Sequence, residues 1–255
     1  MNLQMDTEIA EYYNSQSQKI RVITENWVSQ NLYCPYCGSQ YIRQFENNRP
    51  VADFYCPHCK EEYELKSKKG SITNKVNDGA YSAMIERIES VHNPNFFFMH
   101  YDKLDLKVKN LIMVPKHFFS TQIIRKRKPL AESARRAGWV GCNIILNQIP
   151  DEGRIFIVKN EMQQSVKAVI SKVKRTYFIS QYKLDARGWI LDILNCINKI
   201  DSRDFTLEQV YWFEEQLAAK HPENKHVKEK IRQQLQVLRD KGIIEFNCRG
   251  HYRKI

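Results

Sequence analysis

Apolar positions recur along the chain with two periods, and the switches between them mark out its elements. Residues 6–31 carry Ile20, Ile23, Trp27 and Val28 at helical spacing, with Ser17 placed to cap them, and predict a first helix. Val51-Ala52-Asp53-Phe54-Tyr55 is a short β-prone run. Tyr63-Glu64-Leu65-Lys66 alternates, which puts Glu64 and Lys66 on one strand face and turns Leu65 into the core. Over residues 79–91 the period becomes helical again, through Tyr81, Met84, Ile85, Ile88 and Val91. Two nearly continuous apolar runs follow, at 95–101 and 108–114, as expected of central strands covered on both faces. Residues 154–158 add a strand, and 160–182, with Val166, Val169, Ile170 and Val173, read as a helix leading out of the first unit. Strand–helix–strand order predicts an α/β core.

The pattern then changes character, and a boundary near 181–186 divides the chain into domains at 1–182 and 183–255. Ile190, Ile193, Leu194, Ile197 and Ile200 form one helical stripe. Thr206 opens a second helix with a capping-box spacing to Gln209, carrying Val210, Phe213 and Leu217. A third helix over 225–240 turns Val227, Ile231, Leu235 and Leu238 inward. A turn at Gly242 leads into a hairpin that closes at Arg249-Gly250. Three helices and a basic hairpin predict a winged helix-turn-helix whose third helix enters the major groove. Lys225, His226, Glu229, Arg232 and Gln233 on that helix, with Arg249 and Tyr252 in the wing, are candidate contacts to phosphates and base edges. Winged helices also bind proteins, which is the competing reading of this unit.

Composition narrows the picture. A formal net charge of +11 over 255 residues suggests a polyanionic partner, although a generally basic surface gives the same number. Hydrophobic content of 42% suits a folded chain and argues against disorder. No apolar run of about 18 residues is present, so no membrane partner is expected. Met1 to Asp6 lacks the charged and apolar regions of a signal peptide. Four of the seven cysteines lie in Cys-x-x-Cys pairs, which points to metal binding in a reducing cytoplasm.

Those pairs, Cys34-Pro35-Tyr36-Cys37 and Cys56-Pro57-His58-Cys59, stand 18 residues apart, the spacing of a closed tetrahedral zinc site. A redox role needs one reactive pair, not two matched ones. The second pair falls between Pro50-Val51-Ala52-Asp53 and Glu64-Leu65-Lys66, which are separated by ten residues. This is the proline–aspartate and Glu-x-Lys order of metal-dependent nucleases of the PD-(D/E)XK type. Asp53 and Glu64 offer hard oxygens to Mg²⁺, with the Leu65 backbone carbonyl as a further candidate ligand. Lys66 would orient the attacking water and stabilise developing charge. A hairpin pairing the two runs would bring Asp53 close to Glu64, with the zinc turn capping it. Glu-x-Lys alone is weak, since Glu223-Asn224-Lys225 is a second copy. Glu25 on the first helix is either a further carboxylate or, as the better reading, a surface residue. Lys66-Ser67-Lys68-Lys69-Gly70-Ser71 reads as a basic loop in which Lys68 and Lys69 would meet phosphates. Arg135, Arg136 and Trp139, among basic residues and glycines at 124–142, suit a loop approaching DNA, with Trp139 facing a base or a methyl group or simply packing.

Longer blocks carry a resemblance: residues 45–56, Glu64-Leu65-Lys66-Ser67-Lys68-Lys69-Gly70, Asn93-Pro94-Asn95-Phe96-Phe97-Phe98, Ala134-Arg135-Arg136-Ala137-Gly138-Trp139, and residues 228–235. Through them the chain resembles, over essentially its full length, the DpnI family of methyl-directed (type IIM) restriction endonucleases. The resemblance implies Mg²⁺-dependent cleavage of double-stranded DNA at GATC carrying N6-methyladenine. It also implies a zinc-holding PD-(D/E)XK domain and a winged helix that itself reads the methylated site. Asp53, Glu64 and Lys66 match the family's catalytic triplet; Cys34, Cys37, Cys56 and Cys59 match its zinc ligands. One active site per chain must cut two strands, as a monomer or a transient dimer on DNA. The alternatives are a non-cleaving methyl-DNA reader or winged-helix regulator, and a nuclease of another class.

Overall fold

The computed structural model describes residues 1–46, 52–70, 74–90 and 93–255. Pro50 and Val51 of the motif, Ser71 of the basic run and Val91 of the second apolar helix lie outside the described residues. The main sheet has seven strands, in the spatial order β1 (Arg43–Gln44), β2 (Phe54–Tyr55), β3 (Glu62–Lys69), β5 (Asn95–Tyr101), β6 (Val108–Val114), β9 (Ile155–Lys159) and β10 (Met162–Gln163). Strands β3 and β5 are parallel, with Glu64 opposite Phe96 and Lys66 opposite Phe98, while the other neighbours are antiparallel. Every residue of β5 is buried, as its unbroken apolar sequence demands. Its two-residue period divides the side chains between two cores, Phe97 and Met99 on one face, Phe96 and Phe98 on the other.

The first face is covered by α1 (Gln16–Asn31) and α3 (Val166–Thr176), through Ile23, Trp27, Val28, Val169 and Val173. The second face meets α2 (Tyr81–Glu89) and a small sheet in the order β4 (Lys75–Ala80), β8 (Gly141–Ile145), β7 (Ile124–Lys126). That core continues without a break into the C-terminal helices α4 (Leu184–Asn198), α5 (Leu207–Tyr211), α6 (Glu214–Lys220) and α7 (Val227–Asp240). Polar contacts fasten the same junction: Asn195 donates to the Gln148 carbonyl at 2.8 Å, and Arg175 to the Gly242 carbonyl at 2.7 Å. A three-stranded wing, β11 (Asp204–Thr206), β13 (His251–Lys254) and β12 (Ile244–Cys248), completes the winged helix. Among the described residues no helix is long and apolar enough to cross a membrane.

Several elements differ from expectation. The first helix begins at Gln16, after a short turn at Glu8–Ala10, and Ser15 stands at its N-cap, so Ser17 is not a cap. Residues 79 and 80 end strand β4, and the helix starts at Tyr81. The basic run from Lys66 to Lys69 is the second half of β3, not a loop, because pairing with β5 extends through Lys69 and Tyr101. Residues 160–165 form a turn and β10, so the helix there starts at Val166. The capping box at Thr206 is present: its hydroxyl accepts the Gln209 amide at 3.3 Å and its amide donates to the Gln209 side chain at 2.8 Å. The helix it opens is interrupted at Trp212 and Phe213 before α6 restarts with Glu214 and Glu215 in its first turn.

Two buried histidines make this fold sensitive to acid. Burial, with Lys68 nearby, lowers His100 to about 4, and burial with Arg187 and Lys116 lowers His117 to about 3. The unfolded chain protonates both near 6.5, so it binds more protons than the native state below that pH. Stability is therefore full above about pH 6.5 and falls as the pH drops toward 4, by about 1.4 kcal/mol per pH unit for each histidine. His100→Leu should remove about half of the decline between pH 6 and 5, measured by denaturant titration. An unchanged slope would overturn the assignment.

Candidate active site

The site begins with the cysteines. The sulfurs of Cys34, Cys37, Cys56 and Cys59 all lie within 4.8 Å of one another, with Cys34 to Cys59 at 3.5 Å and Cys37 to Cys56 at 3.6 Å. A tetrahedral site with Zn–S of about 2.3 Å has sulfur–sulfur edges of about 3.8 Å, so the cluster fits zinc. Both knuckles fold alike. Gly38 donates to the Cys34 carbonyl at 2.9 Å and Lys60 to the Cys56 carbonyl at 3.0 Å, each with positive φ (79° and 63°). Lys60 adopts this left-handed conformation at a cost of about 1–2 kcal/mol, a strain that the metal turn holds in place.

Asn95 ties the zinc turns to the sheet. It is fully buried; its amide donates to Glu61 and to the Glu62 carbonyl, both at 2.9 Å, and its oxygen accepts from the Tyr36 hydroxyl at 3.1 Å and the Lys116 amide at 3.0 Å. Tyr36 belongs to the first knuckle, and Glu61 follows the second. The Tyr63 hydroxyl lies 3.1 Å from the Cys34 sulfur. The apolar run at 95–101 carried no sign of this hub, because a polar residue opening a strand is ordinary in sequence.

The second knuckle forms the turn between β2 and β3, with Phe54 opposite Tyr63 and Tyr55 opposite Glu62. The pairing shifts beyond Phe54, where the Asp53 amide donates to the Tyr63 carbonyl at 2.9 Å. The Leu65 amide donates to Asp53 Oδ2 at 2.7 Å, which fixes the carboxylate at the edge of β3. A strand residue's amide and carbonyl point to the same side, so the Leu65 carbonyl faces this edge too. The Leu65 side chain packs against the first core. Lys66 Nζ lies 2.5 Å from Glu64 Oε1 and also pairs with Asp78 of β4, while Arg87 of α2 pairs with the other Glu64 oxygen. Burial opposes the Lys66 charge, but Glu64 and Asp78 outweigh it and hold its pKa above the ordinary lysine value.

Glu25 is not a surface residue. It is buried on α1, accepting from Arg21 at 2.6 Å and Gln44 at 2.7 Å. Burial raises its carboxyl above the usual range against the pull of Arg21, and the Asp53 charge adds to the rise. Asp78, Arg87 and Gln44 were invisible as site residues in the sequence, since each arrives on a separate element.

The candidate DNA contacts are dispersed. Lys68 and Lys69 line an open groove of about 790 Å³ with Lys19 and Lys103, running from Ser67 along the start of α1. Arg135 and Arg136 are exposed between β7 and β8, and the Arg136 guanidinium lies 4.6 Å from the centre of the half-buried Trp139 ring. That ring leaves no room for a side chain at Gly141, where a Cβ would stand 2.8 Å from it. Glu229, Arg232 and Gln233 are exposed on α7, whereas Lys225 and His226 precede the helix, His226 as its N-cap. Arg232 bonds the Tyr211 hydroxyl at 2.7 Å and Glu229 at 3.0 Å. Arg249 is exposed at the wing turn, while Tyr252 stacks on Phe205 at 5.5 Å and meets Phe246 edge-on, so its ring serves wing packing.

A mixed α/β domain with a zinc turn beside a charged strand edge, fused to a winged helix, defines a protein that acts on DNA. Residues 1–182 match the family model described as DpnI, the Dam-replacing family, and residues 185–254 match the Dam-replacing HTH domain. The chain belongs to the DpnI family. Membership supports a methyl-dependent restriction nuclease with DNA as its partner.

Because the zinc turn closes the β2–β3 hairpin, metal and site should be lost together. Elemental analysis should find one zinc per chain. Cys56→Ser should lower both zinc content and thermal stability, structural zinc being worth on the order of 10 kcal/mol. A variant that melts like the parent would overturn the structural role.

Proposed function

We propose that this protein is a Mg²⁺-dependent endonuclease that hydrolyses double-stranded DNA at GATC when the adenine carries an N6-methyl group. The observation that carries the proposal is the β3 edge, where the Leu65 amide holds Asp53 at 2.7 Å beside the Glu64–Lys66 pair at 2.5 Å. The donor set suits a hard cation: two carboxylates, Asp53 and Glu64, with the Leu65 carbonyl facing the same edge. Bound there, Mg²⁺ would lower the pKa of a water and offset charge developing on the phosphoryl oxygens. Lys66 holds and orients that water as a fixed cation at the edge. Arg87, on the second Glu64 oxygen, adds a second cation to the edge.

Domains 1–182 and 183–255 divide the work. The first cuts, with Lys68, Lys69, Arg135 and Arg136 along the backbone and Trp139 against a base or methyl group. The second reads duplex DNA through Lys225, His226, Glu229, Arg232 and Gln233, with Arg249 at the wing. The N6 methyl projects into the major groove, within reach of a recognition helix. Burying one methyl contributes about 0.8 kcal/mol, roughly a fourfold preference. Reading it once in each domain multiplies two such factors.

Incubation with Mg²⁺ and two plasmid preparations, one adenine-methylated at GATC and one from a host lacking that methylation, tests the proposal, with Asp53→Ala in parallel. Expected are GATC fragments from the methylated plasmid alone and none with the variant. Cutting of both preparations would remove the methyl-directed claim. If neither is cut while methylated DNA still shifts in a gel, the protein is a reader and the site assignment fails.

A further inference from the structure

Asp78 is a buried carboxylate that no motif in the chain predicts. It lies on β4, outside the main sheet, and its side chain is 3% exposed where it pairs with Lys66. Period-two alternation turns it inward with Val76, and the strand is distorted just beyond it. Asp78 pairs with Cys142 and Ala80 with Gly141, which leaves Gly79 as the extra residue of a bulge. A bulge breaks the pleat and re-aims the side chains next to it. Here it stands where β4 delivers its carboxylate to the lysine of another sheet.

Lys66 therefore has two anionic partners, Glu64 on its own strand and Asp78 from across the core. Glu64 is shared, since Arg87 takes its second oxygen. A carboxylate that turns to a metal can no longer hold the ammonium as a primary partner. A largely buried lysine left beside a divalent cation, with no anion of its own, would be driven from its place. Among the described residues Asp78 pairs with no cation other than Lys66, and it is too buried to reach bulk solvent.

We infer that Asp78 is a positioning residue, which anchors the Lys66 ammonium at the β3 edge so that Glu64 is released for other work. The inference deepens the nuclease reading and rests on it for the effect on cutting, though not for the contact itself. Asp78→Asn keeps the shape and removes the charge. Single-turnover cutting of methylated plasmid should fall about 100-fold, the scale of a small misplacement of a reacting group. Metal-free affinity for a methylated duplex, read by gel shift, should stay within about twofold of the parent. In a Lys66→Met background, Asp78→Asn should cost nothing further, whereas with Lys66 present Asp78→Glu should retain about a tenth of the parent's rate. The parent, Asp78→Asn, Lys66→Met and their double variant, melted without metal, should show non-additive Tm changes. If Asp78→Asn does not fold, Asp78→Glu carries the test, folding and cutting about tenfold slower than the parent.

Cutting by Asp78→Asn at the parental rate would overturn the inference. So would an equal loss in the parent and Lys66→Met backgrounds, because Asp78 would then act independently of Lys66. Full rescue by excess Mg²⁺ would make it a metal ligand instead. A parent chain that leaves methylated DNA uncut would sink the nuclease reading, and additive melting changes would then sink the Asp78–Lys66 link as well.

Discussion

Strand β2 pairs with β3 over only two residues, and the site depends on that short pairing. Had β2 run further, its amides and carbonyls would have covered the edge of β3 at Leu65. Instead the chain turns away at Asp53, whose carboxylate takes the Leu65 amide in place of a backbone oxygen. Two residues of pairing supply little cohesion of their own. The cysteine turn at one end and the Asn95 network beneath it hold the hairpin in register. A register slip of one residue would carry Glu64 and Lys66 to the opposite face. The cysteine turn is in this sense the positional reference for the carboxylates.

Legibility in the sequence followed the range of the interactions. Two Cys-x-x-Cys pairs, the Glu64-x-Lys66 alternation and the Thr206 capping box are local patterns, and the structure contains all three. Asp78 was not legible, because β4 lies between a turn and a helix and its contact with Lys66 joins two sheets. The apolar rhythm of 79–91 also masked the end of β4, since Tyr81, Met84 and Ile88 set a helical period that extends back over Gly79 without interruption. Glu25 was misjudged for a related reason. A glutamate one turn from an arginine reads as a solvated pair, and only Gln44 and Asp53 arriving from the sheet reveal its burial. Strand β11 was missed because three residues leave no period to detect.

The second core changes how the two domains can cooperate. Its apolar side chains run from Phe96 and Phe98 of the main sheet through Ile190 and Ile193 to Ile231 and Leu235 of α7. Arg187 reaches the Phe119 carbonyl at 3.4 Å, and Asn198 meets Glu152 at 3.0 Å across the same junction. A flexible linker would let each domain find a methylated site separately, with a local concentration set by linker length. A shared core removes that freedom and fixes α7 relative to the β3 edge.

If the protein is the methyl-directed nuclease proposed above, rigid coupling has consequences for specificity. If one duplex reaches both faces at once, each methyl preference enters the same binding event and the factors multiply. If the geometry sets the faces too far apart for one tetranucleotide, the winged helix holds one site while the edge cuts another, and the preferences act on separate events. A truncation at residue 182 does not separate these cases, because removing α4 and α7 cuts the shared core and takes away Arg187, Asn195 and Asn198, which bond Phe119, Gln148 and Glu152. Exposed substitutions on α7, such as Gln233→Ala, leave the core intact and change only what the helix presents to DNA. The distance between paired methylated sites that gives fastest cutting then reports how the two faces are set, since a rigid junction favours particular spacings and a flexible one does not.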